Sequence, residues 1–135
     1  MILKFYELSK INLLKQKFIL FYGNNEGLKK EEIFKLSSKS KKKIFNFDER
    51  QILENTETFF DHVYSGSLFE NEKFIVINQT SEKILKIIET LLEKKFEDVA
   101  ILINAGSLDK KSKLRAVFEK NKELIAVGFY PDTNE

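Results

Sequence analysis

The sequence contains no cysteine. Thiol nucleophiles, disulfides and cysteine-ligated zinc are therefore excluded, and the absence suits a reducing compartment. Histidine is almost as scarce: His62 stands alone, and a transition-metal site lacks the second nitrogen or sulfur ligand it needs. No apolar run approaches the roughly 18 residues required to span a membrane. Charge at Lys4 and Glu7 interrupts the N-terminal stretch too early for a secretory signal, so a cytoplasmic protein with no membrane partner is expected. A strong basic excess is also missing. The chain has 23 basic and 21 acidic residues, a formal net charge of +2, whereas a dedicated nucleic-acid binder carries a larger imbalance. Only Arg50 and Arg115 are arginines, and the bias toward lysine, isoleucine and asparagine fits an A/T-rich genome.

What remains is a chain of 135 residues, the size of one domain, long enough to bury about two-thirds of the surface its unfolded form exposes. Four apolar runs stand out: Phe18–Tyr22, Phe74–Ile77, Val99–Ile103 and Leu124–Val127. They are continuous rather than alternating, as in parallel strands buried on both faces. Ile44-Phe45-Asn46-Phe47-Asp48 alternates and follows three lysines, which predicts an edge strand. Between these runs lie helical patterns. Ser81 is positioned to cap a helix with Ile84, Ile87, Ile88, Leu91 and Leu92 on one stripe. Asp109 is placed to cap another carrying Leu114, Val117 and Phe118, and Thr56 to begin a third with Phe59, Phe60 and Val63. A weaker helix is expected from about Gly27 to Leu36, an N-terminal one over about Glu7 to Leu14, and a polar loop from Ser37 to Lys43. The alternation predicts a three-layer αβα domain with a five-stranded parallel sheet and right-handed crossovers.

The first buried run leads into Gly23-Asn24-Asn25-Glu26-Gly27-Leu28-Lys29-Lys30, where a phosphate loop would sit. The working pattern is G-x-x-x-x-G-K-[ST]. Counted from Gly23, Leu28 replaces the second glycine and Lys30 the magnesium-holding Ser/Thr, while Lys29 keeps the lysine slot. Glu26 sets a carboxylate where phosphate would lie. The residues at this position, Gly23, Asn24, Gly27 and Lys29, read as a degenerate, non-binding phosphate loop that opens a helix, with no cofactor. His62, beside Phe59, Phe60 and Val63, reads as structural, and no pair of carboxylates at the strand ends suggests acid–base catalysis. A receiver-type phospho-acceptor would want acids after the first strand; Asp48 is the only acid suitably placed after a strand.

Gly66, flanked by Ser65 and Ser67, breaks the helix begun at Thr56, and Leu68-Phe69 then stand side by side before four polar residues. Two adjacent large apolar residues on a short connection do not both turn easily into one core. They are either an exposed protein-binding anchor or a pair tucked under the Phe74 strand.

Taken together, Phe21-Tyr22-Gly23-Asn24-Asn25-Glu26-Gly27, then Ser65-Gly66-Ser67-Leu68-Phe69, then Asn104-Ala105-Gly106-Ser107-Leu108-Asp109-Lys110-Lys111-Ser112-Lys113-Leu114-Arg115, with Phe118-Glu119-Lys120 after it, resemble the bacterial DNA polymerase III delta subunit. The resemblance runs through the whole chain in order. It implies an AAA+/RecA-like N-terminal domain that is non-catalytic by itself within a DNA-synthesising holoenzyme. It further implies that the domain binds and opens the sliding clamp (the beta subunit) in company with other clamp-loader subunits. The family's Leu-Phe contact pair matches Leu68 and Phe69, with Ser67 beside them. The family continues with lid and collar domains, whereas this chain ends at Pro131-Asp132-Thr133-Asn134-Glu135. Related AAA+ subunits present an arginine finger from a Ser-Arg-Cys triplet, which Ser112-Lys113-Leu114-Arg115 lacks. Weak contact of the nearby lysines with primer-template DNA stays open. The alternative reading from a different class is a small P-loop-type nucleotide-dependent enzyme or switch.

Overall fold

The computed structural model describes residues 1–10, 18–40, 42–64, 72–94 and 99–130. Six parallel strands form its single sheet: β1 (Ile2–Leu3), β2 (Phe18–Tyr22), β3 (Lys43–Asp48), β4 (Lys73–Thr80), β5 (Val99–Ala105) and β6 (Leu124–Gly128), in the order β1-β6-β2-β5-β4-β3. Among the described residues five helices complete the layers: α1 (Glu26–Ser40), α2 (Glu49–Glu54), α3 (Thr56–Tyr64), α4 (Ile84–Glu93) and α5 (Lys113–Lys120). A short 3-10 helix, Phe5–Lys10, follows β1.

The continuous apolar runs are explained by burial on both faces. Phe18, Leu20 and Tyr22 of β2 point to one face with Ile75, Ile77, Ile101, Ile103, Leu124 and Ala126. That face is covered by α2, α3, α4 and α5 through Ile52, Phe59, Ile84, Ile88, Leu114 and Phe118. Ile19 and Phe21 point the other way with Phe74, Val76, Leu102, Ile125 and Val127, under Leu36 of α1 and Leu8. At about 25 cal/mol per Å² of apolar surface removed from water, this two-sided burial is the main source of stability. β3 is the edge strand its alternation predicts, with Ile44 exposed and Phe45 and Phe47 turned toward the helical layer. β6 is inserted between β1 and β2, as its apolar character requires.

Five expectations need correction. Ser81 does not cap α4: the N-cap position is Lys83, without a side-chain cap, and the Ser81 hydroxyl accepts only from Lys83 N–H at 3.3 Å in the turn before the helix. The sheet has six strands, not five, because Ile2 and Leu3 pair with Ala126 and Val127; two residues are too few to display a periodicity. The helix expected to end near Leu36 runs on to Ser40, so most of the predicted loop from Ser37 is helical. Lys35 bridges Glu31 and Glu32 there, and the Ser40 hydroxyl donates back to the Ser37 carbonyl at 3.0 Å. The last helix is capped by Ser112, whose Oγ accepts from Arg115 N–H at 3.1 Å, while Asp109 caps only the preceding turn through Lys111 N–H at 2.9 Å. The carboxylate of Glu82 selects this start, accepting from the Ser112 hydroxyl and from Leu114 N–H at 3.0 Å. Finally, α2 was not anticipated. Its reciprocal cap includes a bond from Asp48 N–H to the Gln51 carboxamide oxygen at 2.9 Å.

β2 leads to α1 on one face, and its neighbour β5 leads to α5 on the other. The point where connections diverge is thus between β2 and β5. In open α/β sheets the crevice beyond the carboxyl ends of such strands is where ligands sit.

Candidate functional site: the carboxyl edge of the sheet

An open crevice of about 820 Å³ lies beside that point, on the β5 side. The start of α1 and the carboxyl ends of β3, β4 and β5 line it. Its two parts differ sharply in how their polar groups are satisfied.

The loop from β2 to α1 is closed by the chain's own groups. Gly23 has φ +113, and its N–H donates to the Gly106 carbonyl at 2.9 Å. Only glycine fits: a Cβ there would lie 2.0 Å from the Phe129 carbonyl oxygen. Asn25 N–H donates to that same Phe129 oxygen at 3.1 Å, and Glu26 N–H to the Asn24 carbonyl at 3.0 Å. The Asn25 side-chain oxygen accepts from Leu28 N–H at 3.2 Å, and its carbonyl accepts from Lys29 N–H at 3.1 Å. A phosphate loop works by aiming such amides at the ligand; here Gly23, Asn25, Glu26, Leu28 and Lys29 aim theirs at protein oxygens. The lysine is engaged as well. Lys29 is 1% exposed, and its ammonium donates to Glu26 Oε1 at 2.8 Å and to the Ala105 carbonyl at 2.6 Å. Glu26 therefore stands where an anion would, in ion-pair contact with the loop's lysine. Gly27 is exposed and lines the crevice, and Asn24 is exposed outside it.

The floor is a row of carboxamides. Asn104 Nδ2 donates to Asn78 Oδ1 at 3.1 Å, and Asn78 Nδ2 to Asn46 Oδ1 at 3.5 Å, so the row crosses β5, β4 and β3. Asn104 Oδ1 is buried and has no partner among the described residues. Beside the row, the β4–β5 register shifts between Ile77 and Thr80. Gln79 in that irregularity has φ +54, a left-handed conformation uncommon outside glycine. Asp48 and Lys30 complete the polar rim. Sequence reasoning did not single out Asn46, Asn78, Asn104 or Gln79 as a group. A signal was present, since an asparagine follows the apolar run of β4 and that of β5 directly, but only the fold brings Asn46 alongside.

The remaining candidates fall as follows. Ser67, Leu68 and Phe69 lie outside the described residues. Their described flanks are joined, because the Lys73 ammonium at the start of β4 donates to the His62 carbonyl at 2.5 Å. His62 packs edge-on against Phe45 and Phe47, with ring centroids 4.4 and 5.4 Å away. Arg115 is held within its own neighbourhood, donating to Glu119 at 3.0 Å and the Leu108 carbonyl at 2.9 Å, with its guanidinium 4.9 Å from the Tyr22 ring. Burial pushes the Tyr22 hydroxyl above its ordinary pKa, with Arg115 pulling in the opposite direction. The exposed lysines 110, 111, 113, 120 and 122 lie between the exposed acids Asp109 and Glu123. Among the described residues no helix is long and apolar enough to cross a membrane, and no cluster of three metal-ligating side chains occurs. No family model matches the chain, and no curated protein matches it.

Proposed function

We propose that this domain acts by binding a macromolecule rather than by turning over a nucleotide, and that its partner is the sliding clamp of a DNA-replication machine, as in the N-terminal domain of a clamp-loader delta subunit. The observation that carries the reading is the closed loop. It has the position and the lysine of a phosphate loop, yet Glu26 neutralises Lys29 and the neighbouring amides are bonded to protein oxygens. A domain that keeps this architecture without an open anion cradle is suited to presenting a surface. The surface assigned to the clamp is the α3–β4 connection with Leu68 and Phe69, whose described ends are drawn together by the Lys73–His62 hydrogen bond. In this reading Leu68 and Phe69 enter an apolar pocket on the clamp, Ser67 contributes at the rim, and ring opening draws on tighter binding to the open form than to the closed one. Other loader subunits would be neighbours, and hydrolysis of ATP would belong to them.

The second reading, a P-loop-type enzyme or switch, has the crevice beside α1 in its favour. Size-exclusion chromatography of the purified chain mixed with the sliding clamp of its own organism separates the two. Co-elution that is lost in the Leu68→Ala, Phe69→Ala double variant, with an unchanged melting temperature, supports the clamp reading. Independent elution of the parent chain and clamp contradicts it.

A further inference from the structure

We propose that the crevice at the carboxyl edge of the sheet is a binding site for a small, uncharged polyhydroxy molecule, recognised by the carboxamides of Asn46, Asn78 and Asn104. The inference does not depend on the clamp reading and uses none of the residues assigned to clamp contact.

Room is available, since about 820 Å³ lies within the usual 300–1,000 Å³ of small-molecule sites. The floor selects the chemistry. The amide row runs in one direction, each Nδ2 donating to the next Oδ1, and the Asn104 Oδ1 at its head is buried without a donor among the described residues. Buried acceptors in native structures are almost always paired; Asn104 Oδ1 has almost no surface open to the crevice, so it takes a donor from outside the row only as its carboxamide turns to meet the ligand. A hydroxyl meets the requirement and accepts as well, and adjacent hydroxyls on one carbon skeleton match side chains that each offer both functions.

Charge and shape narrow the class further. Glu26 already neutralises Lys29, and Lys30 and Asp48 at the rim carry opposite signs, so the crevice offers no excess charge to select an anion or a cation. No aromatic side chain lines it among the described residues; Ile33 and Val76 supply aliphatic walls. A nucleobase would find no ring to stack on, whereas the C–H faces of a polyol need only such walls. Gln79 adds an independent mark. Its left-handed backbone turns aside from regular β4 pairing at the crevice, and backbone strain of this kind gathers at ligand clamps.

The test is a titration of the isotope-labelled 135-residue chain with ribose, glucose, myo-inositol and maltose, following the side-chain amide resonances of Asn78 and Asn104 by NMR. Adenosine and inorganic phosphate serve as contrasting probes. The expected result is a saturable shift with at least one polyol and none with phosphate. Asn46 is exposed, so Asn46→Ala keeps the fold, and it should weaken that binding about tenfold, as for one lost hydrogen bond. The proposal is overturned if no polyol moves these resonances, if only adenosine or phosphate does, or if Asn46→Ala binds the polyol as tightly as the parent.

Discussion

Two stretches of backbone meet at the carboxyl edge of the sheet and solve the same problem in opposite ways. The β2–α1 loop places five backbone N–H groups and a buried ammonium at the mouth of a crevice, and it satisfies them with protein oxygens. The carboxamide row 104–78–46 spans three strands and leaves a buried oxygen without a partner among the described residues. The difference teaches that a position at the carboxyl edge of a parallel sheet does not determine whether a ligand is needed. What decides is whether the polar groups there are already paired. By that criterion these five amides and the ammonium are taken, and the row is open.

The most severe way to break the loop is Gly23→Ala. The added Cβ would meet the Phe129 carbonyl at 2.0 Å, in a backbone conformation that alanine resists. We expect a loss of about 3 kcal/mol or more in urea-induced unfolding. Near-parental stability would mean that the loop opens at little cost, and the contrast with the row would disappear.

Glu26→Ala probes the same closure more gently. It leaves the ammonium of Lys29, 1% exposed, with the Ala105 carbonyl and without its counter-charge. Glu26 is itself mostly exposed, so water moderates the loss, and we expect about 1–2 kcal/mol. Lys29→Met should cost less than Glu26→Ala, because it removes the buried charge together with the need for a partner. The reverse order, read by the same unfolding measurement, would show that the ion pair is not what holds the loop.

ATP with magnesium sharpens the comparison from the ligand side. A ligand at 100 times its dissociation constant adds about 2.7 kcal/mol to stability. We expect no saturable rise in melting temperature, and a clear one would promote the nucleotide-dependent reading.

The smallest effect concerns Tyr22, behind the loop. Burial raises its pKa, so the folded chain keeps the phenolic proton to higher pH than the unfolded chain does. Its contribution is therefore fully present below the ordinary value of 10.0 and is lost as pH rises from there through the folded pKa. Stability of the parent should decline over that window, and Tyr22→Phe should show a shallower decline.

The sheet was readable because two-sided burial leaves an unbroken apolar run, as in Phe18–Tyr22 and Val99–Ile103. The edge strand was readable because Ile44–Asp48 alternates. The two-residue β1 carries no pattern, and the start of α5 at Ser112 depends on Glu82, a tertiary partner about 30 positions away that no local signal reveals. At the site, the departures at Leu28, Lys30 and Glu26 from a phosphate loop were visible letter by letter. The pairing of Glu26 with Lys29 was not drawn from them, since three-residue spacing on a helix permits such a bond without requiring it. The carboxamide row was invisible because its members lie 26 and 32 positions apart and meet only through the strand order.

The claim that the domain works through its surface is tested most directly by calorimetric titration of the sliding clamp with the parent chain and with the Leu68→Ala, Phe69→Ala variant, each with and without ATP and magnesium. Burying two such side chains contributes roughly 1.5–3 kcal/mol apiece. The account predicts saturable binding by the parent, unchanged by nucleotide, and a loss of about two to four powers of ten in affinity for a variant that melts at the parental temperature. Absence of binding by the parent, or equal binding by a folded variant, would contradict it.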